Sequence, residues 1–186
     1  EKKLGLDYKE YRIAIRTIAR ATDKRSLICT LLPNNSVATN SLHVQREASR
    51  MSLEEKLFYV GILNSYIVDF YLRNLITTNV NKRYLVKLPI AKYGSLSSTF
   101  EINSIVKNLL MAIGSMYSDL NVIEGNVKHS QMTKEDLIAE LNALIFKEYG
   151  LTREEIILVM KSFESANHRK EVVEEAQRII NIFDAL

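Results

Sequence analysis

Tyr11-Arg12-Ile13-Ala14-Ile15-Arg16 alternates apolar and basic positions as a half-buried strand would, although Arg12, Arg16 and Arg20 also fall on one helix face at i, i+4 and i+8. The following segment favours the strand. Ser26-Leu27-Ile28-Cys29-Thr30-Leu31-Leu32 is an apolar, partly β-branched run closed by Pro33-Asn34-Asn35, which predicts a buried strand ending in a turn. Residues 21–25 then form a polar connection between two strands. The Ser-, Asn- and Thr-rich stretch 34–50 predicts a loop with one further short strand around Leu42-His43-Val44.

Ser52-Leu53-Glu54-Glu55 has the spacing of a capping box and opens a helix predicted to run to about Ile76. Leu53, Leu57, Val60, Ile67, Tyr71 and Leu75 recur at three and four, and Phe58, Leu63 and Phe70 widen the stripe, so most of this helix is expected to be buried, with polar Asn64 on or beside the stripe. Tyr84-Leu85-Val86-Lys87-Leu88-Pro89-Ile90 predicts a short strand whose proline places that end at an edge or terminus. After the Gly-Ser stretch 94–99 the pattern is helical. Ile102, Ile105, Leu109, Ile113 and Met116 make one face; Thr133-Lys134-Glu135-Asp136 caps a second helix ending at Tyr149-Gly150; Thr152-Arg153-Glu154-Glu155 caps a third; Arg169 to about Asp184 forms a fourth. Residues 121–131, with Gly125 and few apolar anchors, are expected to be a flexible connection. The expected fold class is α+β: a small mixed α/β globule of short strands and one long helix in residues 1–95, then a helical part in residues 96–186.

A chain of 186 residues with 47% hydrophobic and 25% charged residues can bury a core, which excludes disordered and low-complexity classes. The longest apolar stretches, 57–63 and 109–113, fall short of the ~18–20 residues of a membrane span, and no signal-peptide pattern opens the chain, so a soluble protein is expected. The single cysteine, Cys29, excludes an internal disulfide and reads as a small buried hydrophobe in a reducing, cytoplasmic setting. Charge is uneven. Residues 1–130 carry 18 Lys+Arg against 11 Asp+Glu and residues 131–186 carry 7 against 11, a net +7 followed by a net −4. Such a split suits a first part that meets a polyanion and a second part that does not.

His43, His129 and His168 lie far apart and no Cys or His pair stands at metal-ligand spacing, so no metal site is expected. No Gly-x-Ser-x-Gly elbow, Gly-x-x-x-x-Gly-Lys loop or Gly-x-Gly-x-x-Gly turn occurs among the six glycines. Glu54-Glu55, Glu154-Glu155 and Glu174-Glu175 sit in first turns or on solvated helix faces, where carboxylates serve the helix dipole and solubility. These features describe a binding module in preference to a catalyst.

Three stretches carry a resemblance. The run from Tyr11 through Ala21-Thr22-Asp23-Lys24-Arg25-Ser26-Leu27-Ile28 to Leu32-Pro33, then Leu63-Asn64-Ser65-Tyr66-Ile67-Val68-Asp69-Phe70-Tyr71-Leu72-Arg73, then Asn79-Val80-Asn81-Lys82-Arg83-Tyr84-Leu85-Val86-Lys87-Leu88-Pro89-Ile90, together resemble, in order and spacing, the C-terminal target-recognition region of type IIG-like restriction enzymes and related adenine-N6 DNA methyltransferases. They span about 80 residues, and Tyr149-Gly150-Leu151-Thr152-Arg153-Glu154-Glu155-Ile156 with Ser162-Phe163 resemble the closing helices of the same proteins. Lys82-Arg83 stand where family members often carry aromatic residues. The family's Asn-Pro-Pro-aromatic motif and its glycine-containing S-adenosylmethionine motif are absent from these 186 residues. The resemblance therefore implies the C-terminal piece of a larger bacterial restriction–modification enzyme. It would read double-stranded DNA for a methyltransferase, and possibly nuclease, domain, without catalysis or cofactor of its own.

The DNA-binding residues implied are Arg16, Arg20, Asp23, Lys24, Arg25, Asn64, Arg73, Asn81, Lys82 and Arg83. Duplex recognition needs cations for phosphates and forked or amide groups for base edges, and this set holds both. Residues 20–25 are expected to form an exposed, mobile loop suited to base contact. Arg12 and Arg16 have the alternative of pairing with Glu47 or Asp69, Asn64 and Arg73 that of bonding a strand end or the 20–25 loop, and Lys82 and Arg83 are expected at phosphate. Two other readings stay open: half of a type I-like specificity subunit, disfavoured by Gly114, Gly125 and Gly150 in what would be its coiled-coil spacer, and a helical protein-interaction scaffold.

Overall fold

A computed structural model describes residues 7–165 and 167–186. Strand β1 (Arg12–Arg16) is the centre of a three-stranded antiparallel sheet, flanked by β2 (Cys29–Leu32) and β3 (Leu42–Val44) in the order β2-β1-β3. Ile13 pairs with Leu31 and Ile15 with Cys29, so these four residues share one face packed on the core; the other face is not the solvated one the alternation predicts, since Arg12 and Ala14 there are buried as well. β2 is an edge strand whose outward groups are covered by side chains. The Asn64 carboxamide accepts from the Cys29 N–H at 3.0 Å and donates to the Cys29 carbonyl at 2.7 Å, as a neighbouring strand would. The Tyr117 hydroxyl donates to the Leu31 carbonyl at 2.7 Å.

The helix expected from Ser52 to Ile76 is two helices. α1 (Leu53–Leu63) starts at Ser52, whose hydroxyl accepts from the Glu55 N–H, and ends at Asn64; Ser65 then takes an extended conformation and caps α2 (Tyr66–Arg73). The break follows from chemistry that helical periodicity does not register: Asn64 is committed to β2, and a serine with extended backbone redirects the chain. Tyr71, assigned to the buried stripe, is 44% exposed on α2. The strand expected at Tyr84–Ile90 is also absent. One turn of helix, α3 (Lys82–Leu85), forms there after an extended Asn81, with the Tyr84 N–H bonded to the Asn81 carbonyl. The chain pairs with the extension of β1 only at residues 78–80, before this run begins.

α4 (Thr99–Met111) buries Ile102 and Ile105 as expected, but it stops before Ile113 and Met116, which are largely exposed; a 3-10 segment, Ser115–Val122, follows Gly114. Residues 121–131, expected to be a flexible connection, are instead anchored around α5 (Val127–Ser130). His129 is buried, with Nδ1 2.7 Å from the Ser104 hydroxyl and Nε2 3.4 Å from Glu140. Ser104 also accepts from the Asn126 N–H, and Lys107 donates to the Ile123 carbonyl. Polar side chains therefore supply the anchors that the sparse apolar residues do not.

α6 (Lys134–Glu148) is capped by Thr133, and Gly150, at φ 71°, takes the left-handed conformation that ends it. α7 (Arg153–Lys161) begins with a full Thr152–Glu155 capping box, and α8 (Arg169–Phe183) packs along α6 and α7. The architecture is α+β, with one hydrophobic cluster drawn from the sheet, α1, α4 and α6, and a second, holding Tyr66, Phe146, Phe163 and Ile179, joining α2, α6, α7 and α8. Residues on both sides of position 95 share the first cluster.

Gly61 sits in α1 where a Cβ would lie 2.7 Å from Ile102 Cγ2 and 3.1 Å from Val106 Cγ2 on α4. Alanine gains about 1 kcal/mol in helix propensity, whereas overpacking costs about 1–3 kcal/mol. Gly61→Ala is therefore expected to lower stability in urea denaturation, and a stabilised variant would show that α4 yields freely to α1.

Candidate nucleic-acid interface

Asp69, on α2, is closed off from solvent and satisfied on both oxygens. Oδ2 accepts from Arg25 Nε at 2.8 Å and from the Ser26 N–H at 3.1 Å, and Oδ1 accepts from the Leu27 N–H at 3.0 Å. One carboxylate thus fixes the entry into β2. Arg25 also donates to the Asn64 carbonyl and lies over the Tyr66 ring, 4.2 Å from its centroid. Burial works against the Arg25 charge, but Asp69, Tyr66 and Glu175 outweigh it and hold its pKa above the ordinary arginine value.

The rest of the 20–25 connection is tied down as firmly, so the expected mobile loop is a fixed one. Arg73, itself buried, donates to the Asp23 carbonyl at 2.6 Å and the Ser162 carbonyl at 3.0 Å, and stacks on Phe163 at 3.8 Å. Burial lowers the Arg73 pKa, which Asp69 opposes and Arg25 reinforces. Arg16 donates to the Arg25 carbonyl at 2.9 Å and lies 3.5 Å from Asp23, whose carboxylate accepts from the Arg20 N–H. Lys24 reaches Glu171 at 2.9 Å and Glu175 at 3.7 Å, both on α8. Glu171 and Glu175 of α8 therefore lie against this loop, a contact between distant segments that a charge tally by segment conceals. The alternative pairings of Arg12 and Arg16 with Glu47 or Asp69 do not form: Arg12 bonds Ser36 instead.

Of the ten residues implied by the sequence, Arg16, Asp23, Lys24, Arg25, Asn64 and Arg73 form one internal network. Arg20, Asn81, Lys82 and Arg83 are exposed. They stand at one end of the sheet. Where β3 stops, residues 78–80 run antiparallel beside residues 17–19: Ile18 pairs with Asn79, the Val80 N–H bonds the Thr17 carbonyl at 2.8 Å, and the Ala19 N–H bonds the Thr78 carbonyl at 3.3 Å. Thr17 also takes the Ser41 carbonyl through both its N–H and its hydroxyl, and His43 Nε2 lies 2.7 Å from the Val80 carbonyl. Segments 17–20, 39–41 and 77–83, none of which contains an Asp or Glu, are thereby gathered together, with the Asp23 carboxylate adjoining them at the Arg20 N–H.

On this surface Arg20 and Lys82 have no side-chain hydrogen bond or ion pair among the described residues, and Arg83 donates only to the neighbouring Tyr84 hydroxyl. The sequence reading missed Ile18, Asn40 and Asn79. An apolar residue inside an otherwise arginine-rich alternation and a second asparagine two positions before Asn81 were the available signals, but only the pairing of 18 with 79 joins them. Among the described residues no group of three or more His, Cys, Asp or Glu side chains is arranged to hold a metal, and no helix is long and apolar enough to cross a membrane. No model of a known protein family, no curated protein and no solved structure matches the chain.

Removing Arg25 leaves a fully buried carboxylate without its cation, and breaking such a pair costs about 3–5 kcal/mol. Arg25→Ala is therefore expected to lower the melting temperature markedly in a thermal unfolding scan. An unchanged melting temperature would show that Asp69 does not depend on it.

Proposed function

We propose that the chain is the DNA sequence-recognition module of a bacterial restriction–modification enzyme. It holds a duplex in place for an adenine-N6 methyltransferase domain, with or without a nuclease, that uses S-adenosylmethionine in the cytoplasm. In this reading the chain is not an enzyme by itself. The observation that carries it is the end of the sheet built from segments without Asp or Glu, where Arg20, Lys82 and Arg83 supply cations and Asn40, Asn79 and Asn81 supply amides on exposed positions. Cations bind phosphate irrespective of sequence and amides read base edges, so one surface holds both kinds of group that a duplex reader needs. Arg16, Asp23, Lys24, Arg25, Asn64 and Arg73 act behind it by holding β1, β2 and the loop between them.

A second reading, the protein-interaction scaffold, is favoured by one observation. Ile113, Met116, Val122 and Val127 are 63%, 57%, 83% and 72% exposed within a short stretch of chain. Salt separates the two. Each phosphate contact adds about 0.9 to the slope of log affinity against log salt on duplex DNA. The chain is expected to bind random duplex DNA with a steep salt dependence in fluorescence anisotropy. Replacing Lys82 and Arg83 together with alanine should weaken binding to all sequences and make the slope shallower by about 2. An unchanged slope would remove those two side chains from the phosphate contacts, and no binding at low salt would favour the scaffold.

A further inference from the structure

We propose that the ribbon of residues 17–20 and 77–80 reads an A·T pair from the major groove, with the Asn79 carboxamide on the adenine edge and Ile18 against a thymine methyl. This rests on the duplex-DNA reading above and names what that surface recognises. The antiparallel pairing sets Ile18 and Asn79 directly opposite each other, so their side chains leave the ribbon on the same face as close neighbours. Both are exposed, Ile18 by 64%. A single exposed isoleucine is ordinary on a protein surface. Here it stands against a carboxamide whose one side-chain bond is a 3.3 Å contact from Nδ2 to the adjacent Thr78 hydroxyl, which leaves Oδ1 and one N–H unused.

The chemistry of that pair is selective. Adenine offers N7 as an acceptor and N6–H as a donor on its major-groove edge, the complement of a carboxamide's donor and acceptor; thymine offers a methyl group and an acceptor. A carboxylate at position 79 would favour cytosine, and a guanidinium would favour guanine. Segments 17–20 and 77–83 contain no carboxylate, and Arg20 and Lys82 lie within a few residues on either side to meet phosphate. The paired segment is short, one bridge flanked by two backbone hydrogen bonds, and two extended segments so paired are an element that the major groove, about 12 Å wide, admits.

The test is selection of the full 186-residue chain against random duplexes at low salt, repeated with Asn79→Ala and Asn79→Arg after confirming that both melt as the parent does. The parent should enrich A·T at one position of the bound sequences, with a G·C replacement there costing about tenfold or more in affinity. Asn79→Ala should erase that preference, and Asn79→Arg should move the same position to G·C. Duplex binding with no enriched A·T position, or with an enriched position that neither variant alters, would overturn the inference and leave the duplex reading standing. Failure to bind any duplex at low salt would overturn both.

Discussion

The buried Asp69 carboxylate is the constraint on which the first half of the molecule depends. It belongs to α2, yet two of its three partners are backbone amides in the segment leading into β2 and the third is the guanidinium of Arg25. A carboxylate removed from water is costly unless every lone pair it presents is met, and here the surrounding chain is arranged to meet them. Asn64, immediately before α2, extends the same join by pairing with both backbone groups of Cys29. The break between α1 and α2 is what allows this: a continuous helix would leave Asn64 as one more side chain on the α1 surface, without an end to turn the chain at β2.

Charge has two separate uses in the chain. Around the 20–25 loop, cations are spent internally: Arg25 on Asp69, Lys24 on Glu171 and Glu175, and Arg73 on the Asp23 and Ser162 carbonyls. At the end of the sheet, the side chains of Arg20 and Lys82 have no hydrogen-bond or ion-pair partner among the described residues. The net +7 of residues 1–130 thus overstates the charge available to a ligand, because Lys24 is paired with Glu171 and Glu175 of α8. The proposed division of labour follows: the network fixes the strands, and the ribbon that extends from them meets the duplex.

Strands, caps and turn residues were legible in the sequence because each rests on local chemistry. The strand at residues 12–16, the capping box at Thr152 and the glycine after Tyr149 all appear in the structure where expected. What misled were periodicities that continued past a residue with other commitments. The apolar repeat through Asn64 and Ser65 suggested one helix, and the repeat through Ile113 and Met116 extended α4 beyond its end. The β-like run at Tyr84 begins instead as the single helical turn of α3. For the candidate site, the sequence supplied Arg20, Asn81, Lys82 and Arg83 but also six residues that turn out to be internally bonded. Whether an arginine beside a loop faces solvent or a buried carboxylate 44 residues away is set by tertiary packing, which no local pattern encodes.

The role given to Asp69 is open to a direct measurement, native-state hydrogen exchange at the Ser26 and Leu27 amides. If Asp69 holds the entry to β2, both amides should exchange only through global unfolding in the parent chain. In Asp69→Asn they should exchange through local opening, while the β1 amides paired with β2 stay protected. Rapid exchange of both amides in the parent, or slow exchange that Asp69→Asn leaves unchanged, would contradict the account.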